Sequence, residues 1–254
     1  MDGEIRAIRE QYLGKGYAAP ISLLSATELA RYQKEFQTLE AAAHGTPERY
    51  LNPQLYFGWV REFASHPRLL DIARSILGPN LFVMGCMFLC KRPATSSHFP
   101  WHQDGYFFSE HMKAPYLTAW IALTDSNREN GCMEVIPGSH LQGIVPHQDL
   151  ADPSNMIRQK KGVPKVDEDR GMDIVLRPGE MSLHHGAILH RSYPNTSTGT
   201  RVGFILRIST EELEKAPYPL VRLSGEQSPA QLPVFEEPAP ESPELELSNF
   251  LASL

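Results

Sequence analysis

Cysteine is scarce in this chain: three thiols, Cys86, Cys90 and Cys132, in 254 residues. An odd number cannot all pair internally, and each sits in an apolar run. They are expected as buried small hydrophobes in a reducing compartment, not as a disulfide framework. Cys86 and Cys90 do not make a C-x-x-C pair and the histidines cluster elsewhere, which argues against a structural zinc site. Long apolar runs are missing too. None reaches the roughly 18–20 residues that span a bilayer as a helix, and the opening "MDGEIRAIREQYLGKG" has no apolar signal-peptide core. The expected location is the cytoplasm. Basic excess is the third absence: 24 Lys and Arg against 30 Asp and Glu give a net charge of -6. That balance argues against nucleic acid or an anionic membrane as the main partner and leaves a small molecule. No feature of the sequence reports the oligomeric state.

What is present is an ordinary globular composition, 41% hydrophobic and 21% charged, at a length that one large domain can fill. The first third, residues 1–80, reads as helical. Ser25 and Glu28 are spaced as a capping box, and Leu29, Tyr32, Phe36 and Leu39 follow at helical intervals. "HPRLLDIARSILGPN" has Pro67 in a first-turn position and Gly78-Pro79 as a stop. These segments carry no evident chemistry and are expected to cover a sheet. From Leu81 the texture changes to short apolar or alternating runs punctuated by Gly, Pro, Asn and Asp: "LFVMGCMFLCK", "YLTAWIALTD", "MDIVLRPGEMSLHHGAILHRS" and "RVGFILRIST". Such runs predict a β barrel or sandwich over 81–226, with the helices packed on one face in an α+β arrangement. Residues 141–171 are polar and weakly periodic, and a loop of that length is expected to act as a mobile lid. Residues 227–254 are rich in Pro and Glu and are expected to run along the surface or be partly disordered. The whole, 1–254, reads as one domain.

The chemistry-bearing residues lie in two stretches. "PWHQDGYFF" places His102 and Asp104 two apart, and "SLHHGAILHRSYPNTSTGTR" holds His184, His185, His190 and Arg201. Residues two apart on a strand share a face, so His102 and Asp104 can converge on one ion. With His190 from another strand they would form a 2-His-1-carboxylate triad, which leaves positions open on an octahedral ferrous iron. The turn-forming "YPNTSTGT" is expected to bring Arg201 back alongside His190, where a guanidinium fork would bind a dicarboxylate such as 2-oxoglutarate. His184 and His185 are adjacent, so a strand would send them to opposite faces; each reads more readily as a satisfied core histidine than as a ligand.

"PWHQDGYF", "TAWIALTDSNRENGCMEVIPGSH" and "LRPGEMSLHHGAILHRSYPNTSTGTRVGF" together resemble the phytanoyl-CoA dioxygenase-like family of Fe(II)/2-oxoglutarate oxygenases over about Leu81 to Ile208. The resemblance implies a double-stranded β-helix, a jelly-roll or cupin-like barrel with helices on one side. It implies iron held by His102, Asp104 and His190, with 2-oxoglutarate and O2 as co-substrates. It implies that Arg201 pairs with the distal carboxylate of 2-oxoglutarate, assisted by Ser192, and that Thr118, Trp120 and Met84 line the co-substrate pocket. Asn195 would hold the turn. Such an enzyme couples decarboxylation of 2-oxoglutarate to oxidation of an unactivated C–H bond. Halogenating relatives carry a small residue at the position of Asp104, so the carboxylate disfavours a halide ligand and makes hydroxylation the default. Ring closure, epimerisation or desaturation by the same oxidising chemistry stay open, and a tailoring step of secondary metabolism is the expected setting.

Substrate contacts are expected from Gln103, Tyr106, Phe107 and Arg207. The aromatics, Phe108 with them, follow Asp104 at the expected barrel mouth, where they would wall a substrate or pack against the lid. Arg207 lies an even number of residues beyond Arg201 and so on the same face, while Glu134 and His140 read as structural. Two other functions share these residues. A zinc hydrolase would use the same three ligands and a bound water, but has no need of Arg201. A non-catalytic binding protein on the fold would be expected to have lost one of the four.

Overall fold

A computed structural model of the chain describes residues 2–44, 48–108, 115–210 and 220–225. In chain order its elements are α1 (Gly3–Lys15), β1 (Tyr17–Ser22), α2 (Ala26–Ala42), β2 (Arg49–Leu51), α3 (Gly58–Ala64), α4 (Pro67–Leu77), β3 (Leu81–Lys91), β4 (Phe99–His102), α5 (Asp104–Phe108), β5 (Tyr116–Ala122), β6 (Met133–Val135), β7 (Gln148–Asp149), β8 (Lys161–Gly162), β9 (Met172–Ile174), β10 (Glu180–His185), β11 (His190–Ser192), β12 (Arg201–Ser209) and β13 (Val221–Ser224). The capping box forms as expected, with Ser25 and Glu28 each accepting from the other's backbone N–H. Pro67 opens α4, and Gly78 ends it at a positive φ of 96°.

Among the described residues the strands make two main antiparallel sheets and a separate two-stranded pair, β7-β8. The larger runs β1-β10-β5-β12-β3-β13, with β2 also paired to β3, and the smaller runs β4-β11-β6-β9. Side-chain alternation along the larger sheet decides its two faces. On β12, Val202, Phe204, Leu206 and Ile208 meet the helices in the main core, together with Phe88 of β3 and Leu117, Ala119 and Ile121 of β5. Phe63 of α3 stacks on Phe204 at 4.6 Å, and Phe36 of α2 meets Phe88 at 4.9 Å. Burying each such ring is worth about 1.5–3 kcal/mol. The alternate residues of β12, Arg201, Ile205 and Arg207, face the other way and line a cavity whose far wall comes from the smaller sheet. The layers are therefore helices, larger sheet, cavity and smaller sheet: a jelly roll with helices on one side. No helix among the described residues is long and apolar enough to cross a membrane.

The helical reading of residues 1–80 needs correction. β1 pairs with β10, and β2 with β3. The segment "YAAPIS" did not read as a strand because Pro20 cannot donate to a ladder. An edge position, at a register shift between Ala18 and Ile21, tolerates it. Residues 141–171 carry defined structure: the β7–β8 hairpin and two short 3-10 turns. Residues 227–254 lie outside the described ones.

Candidate active site

The cavity between the sheets has a volume of about 260 Å³. His102 and His190 enter it as direct register partners on the antiparallel strands β4 and β11. Their rings stand 4.0 Å apart between centroids. Asp104 arrives differently from the expected strand alternation. β4 ends at His102 and Asp104 is the first residue of α5. The backbone turns there because the Gln103 N–H leaves the ladder for His147 Nε2 at 3.0 Å, and Gly105 N–H bonds Gly186 O at 2.7 Å. A Cβ at Gly105 would lie 3.1 Å from that carbonyl oxygen, so the approach needs glycine. The helical start swings Asp104 inward to the same point a strand would have reached.

Ligand atoms of His102, Asp104 and His190 all lie within 4.8 Å of one another, and all three residues are buried. The histidine tautomers are set by the backbone. His102 Nδ1 faces Pro100 O at 2.8 Å and His190 Nδ1 faces Ile188 O at 3.1 Å, which leaves both Nε2 atoms facing Asp104 Oδ1. Burial lowers His102 to about 4 and holds His190 well below its ordinary value, so both imidazoles are neutral, the form that binds a metal. Burial works against the charge on Asp104, but the Arg207 guanidinium and the surrounding imidazoles outweigh it and hold the carboxyl well below the usual range. A carboxylate and two neutral imidazoles in a buried cluster suit a divalent first-row metal such as ferrous iron.

Arg201 does not return alongside His190. His190 belongs to the smaller sheet, whereas Arg201 begins β12 in the larger one, paired with β3 and β5. The turn at residues 193–200 carries the chain across from one sheet to the other, so the two residues meet as opposite walls of the same cavity. Asn195 pins this crossing, donating from Nδ2 to Lys91 O and Gly199 O at 2.8 Å each. Arg201 is buried, its guanidinium 5.0 Å above the Trp120 ring, and it donates to Gly131 O. Its Nε has no partner. Burial lowers it to about 10, still protonated at neutral pH. Ser192 and Thr118 also line the cavity, and Thr118 Oγ1 donates to Asp104 Oδ2 at 3.2 Å.

Other expectations fare unevenly. Met84 does not line the cavity. Alternation along β3 turns Met87 and Leu89 to the cavity and Cys86, Phe88 and Cys90 to the helices; Met84 has the parity of the latter and lies where the β3–β12 register shifts. Gln103 is no substrate contact. Its Nε2 donates to Gly143 O and Ala187 O, and its Oε1 accepts from Val145 N, so the side chain is consumed in holding the 143–147 segment. Tyr106 turns away as well and stacks on His147 at 4.0 Å. Phe107 and Phe108 do line the cavity, as does Arg207, which is engaged with Asp104. His184 and His185 take opposite faces as expected. His185 meets Tyr12 and His140 outside, while His184 faces the cavity, with neither ring nitrogen hydrogen-bonded and Nε2 3.7 Å from Asp104 Oδ2. The three cysteines are free and buried.

Several lining residues gave no signal in the sequence. Arg49 sits on β2, a strand missed within the helical third, with its guanidinium 5.3 Å over Phe99. Ile157, Arg158 and Gln159 come from the 141–171 segment. Lys91, at the end of "MFLCK", continues the inward parity of Met87 and Leu89 and meets the lining residue Ser192 from behind.

A family model described as phytanoyl-CoA dioxygenase (PhyH) matches residues 12–203, well over half of the chain. The chain belongs to the PhyH family of iron- and 2-oxoglutarate-dependent oxygenases. It is 28% identical to the probable alpha-ketoglutarate-dependent hypophosphite dioxygenase of Stutzerimonas stutzeri, over 75% of this chain and 73% of that one. It spans less than two thirds of the length of the human and bovine peroxisomal phytanoyl-CoA dioxygenases it matches, 64% and 65%. Among solved structures, the non-heme monooxygenase ThoJ in its apo form superposes with a TM-score of 0.80, at 25% identity, covering 97% of this chain and 94% of that one. The epimerase SnoN from nogalamycin biosynthesis, described as alpha ketoglutarate dependent, gives a TM-score of 0.66 at 25% identity over 82% and 83% of the two chains. The PhyH match covers the β-rich region that carries His102, Asp104, His190 and Arg201, and ends before Arg207.

Proposed function

We propose that this PhyH-family chain is an oxygenase that holds iron through His102, Asp104 and His190, anchors 2-oxoglutarate through Arg201, and oxidises a C–H bond of a small organic molecule. The observation that carries the reading is a single cavity in which a cluster of two neutral imidazoles and a carboxylate, and a buried arginine with a free Nε, stand on opposite walls. Iron bound there, with 2-oxoglutarate and O2, supplies the oxidant and leaves succinate and CO2. The protein supplies the rest. Arg201 and Ser192 receive the distal carboxylate, a site a hydrolase would not need. Trp120 supports the guanidinium from below. Thr118 and Arg207 hold Asp104 Oδ2, so that Oδ1 stays with the imidazoles. Phe107, Phe108 and Ile157 wall the space beyond the cluster and exclude water from it. We read residues 141–171 as the lid over that space and 1–254 as one domain.

Hydroxylation follows from the retained carboxylate of Asp104. Epimerisation or ring closure stands as a second reading, favoured by the likeness to SnoN, and a biosynthetic tailoring step fits the same likeness. The test is anaerobic protein with Fe(II) and 2-oxoglutarate. A weak visible charge-transfer band is expected, lost in Arg201→Ala and His190→Ala. No band, and no succinate on aeration across a broad substrate panel, would overturn the reading. Product mass then separates outcomes: one oxygen gained means hydroxylation, two hydrogens lost means ring closure or desaturation, and no mass change means epimerisation.

A further inference from the structure

Lys91 closes β3 as the direct register partner of Arg201 on β12. Its side chain is among the largest that are fully buried. Nζ donates to Ser192 Oγ at 2.8 Å and to Tyr193 O, and lies 5.8 Å over the Phe99 ring. Neither Lys91 nor Arg201 forms an ion pair with a carboxylate among the described residues, whereas Arg191 pairs with Glu134 and Arg207 with Asp104. Two basic side chains thus stand side by side in a water-poor wall with no anion between them. Such a pair is costly until a negative charge arrives.

We propose that Lys91 is the second cation of the 2-oxoglutarate seat, a positioning residue that acts on the distal carboxylate through the Ser192 hydroxyl. The inference rests on the oxygenase reading. With Lys91 donating to Ser192 Oγ, the Ser192 proton is left free to point at a carboxylate held by Arg201. One carboxylate of the dianionic co-substrate would go to the metal and the other would lie between Arg201 and the Lys91–Ser192 pair.

A linkage follows. In the empty site burial, then the Arg201 charge, lowers Lys91 to about 6, so its amine is mostly neutral above pH 7. The groups that face it are Arg201 from β12, the Cys132 thiol from the segment before β6, Glu48 from the segment before β2, and Ser192 with the Tyr193 carbonyl from β11. Cys132 is itself pushed up to about 12 by burial and stays neutral. Arg201 stays charged throughout. An entering carboxylate favours the ammonium, so binding of 2-oxoglutarate draws a proton onto Lys91.

Calorimetry on the metal-loaded protein, anaerobically at pH 7.5 in buffers of different ionisation enthalpy, reads this directly. Uptake of about one proton per 2-oxoglutarate is expected. 2-Oxobutyrate chelates a metal in the same way but lacks the distal carboxylate, and should bind without that uptake. Lys91→Arg carries a permanent charge and should bind 2-oxoglutarate with the uptake abolished. Lys91→Met should weaken 2-oxoglutarate about tenfold and leave 2-oxobutyrate unchanged. Equal uptake with both acids, none with 2-oxoglutarate, or uptake retained in Lys91→Arg would overturn the proposal while leaving the oxygenase reading intact. Failure of either acid to bind the metal-loaded protein would overturn that reading and this inference together. The wild-type comparison of the two acids decides the question even if a variant does not fold.

Discussion

Arg207 holds the oxygen of Asp104 that does not face His102 and His190. Its Nη2 lies 3.3 Å from Oδ2, while Oδ1 faces Nε2 of His102 at 3.8 Å and Nε2 of His190 at 3.9 Å. Thr118 Oγ1 adds a second donor to Oδ2 at 3.2 Å. The carboxylate is thereby divided, one oxygen for the protein and one for a metal. Groups that orient a ligand from behind are commonly worth 10–100-fold in affinity. Thr118→Val should therefore weaken Fe(II) or Mn(II) binding about tenfold with little change in melting temperature, as measured by competition with a chromophoric chelator. An unchanged affinity would mean that Asp104 needs no second donor.

Arg207→Met tests the other half of the same arrangement. It strands a buried carboxylate, and breaking a buried pair from one side costs about 3–5 kcal/mol. A bound metal answers that charge in place of the guanidinium. The melting temperature of the metal-free variant should drop clearly, and added metal should restore more of it than metal adds to the wild type. Equal drops with and without metal would assign Arg207 a packing role only.

The two ligand imidazoles fix how stability depends on acidity. His102 has a folded value of about 4 against an ordinary 6.5, lowered by burial, and His190 shifts the same way. A depressed histidine contributes stability that is whole above about pH 6.5. That stability is lost as pH falls, because the unfolded chain takes up the proton first. For His102 alone the loss between pH 6.5 and 4 is roughly 3 kcal/mol. Asp104 acts in the same direction, lower still, where its ordinary carboxylate range begins. The metal-free protein should therefore melt progressively earlier from pH 7 to pH 5, and a metal-loaded sample should melt higher throughout yet fall at least as steeply, because metal-bound imidazoles take up no proton while the unfolded chain still does. A flat profile over that window would contradict neutral, buried ligands.

Gln103 sits between two metal-ligand candidates yet serves the wall behind them. Gln103→Leu leaves Gly143 O, Ala187 O and Val145 N without their partners. Each unpaired buried group costs about 1–3 kcal/mol. Melting temperature should fall by several degrees, and amide exchange at residues 143–147 should accelerate before that of β12. Exchange rising equally everywhere would show that Gln103 does not act on that segment in particular.

What could be read in the sequence was what repeats or aligns locally. The capping box at Ser25, the stop at Gly78 and the alternation of β12 follow from short-range spacing, whereas the joining of His190 to His102 and Asp104 followed from the resemblance of several motifs in order. The misreadings share a cause: geometry that two strands make together. The crossing that carries Arg201 to the other sheet depends on which strands pair, and Gln103 is decided by carbonyls 40 and 84 residues away. Arg201 was placed in the right cavity by the wrong route, since no local pattern says that a turn changes sheets. Arg49 and Lys91 lie far from the histidine motifs and enter the site only once β2 and β12 dock on β3.

Gly203 shows how closely the co-substrate seat is packed. It lies two residues beyond Arg201 on β12 and faces inward, and a Cβ there would come within 2.1 Å of Trp120 Cζ2. That indole lies beneath the Arg201 guanidinium at 5.0 Å. An added methyl must push the ring, and the ring cannot move without tilting the guanidinium it supports. Gly203→Ala should weaken 2-oxoglutarate at least about tenfold, or roughly 1.4 kcal/mol, while leaving metal binding near wild type, because the His–Asp–His cluster draws on other strands. Trp120→Phe alone loses part of the ring–cation contact, worth about 0.5–2 kcal/mol. The smaller ring also makes room for the methyl, so Gly203→Ala with Trp120→Phe should bind 2-oxoglutarate better than the sum of the two single losses allows. A strictly additive cycle, measured by titration of the metal-loaded protein, would show that the glycine matters to the strand and not to the seat.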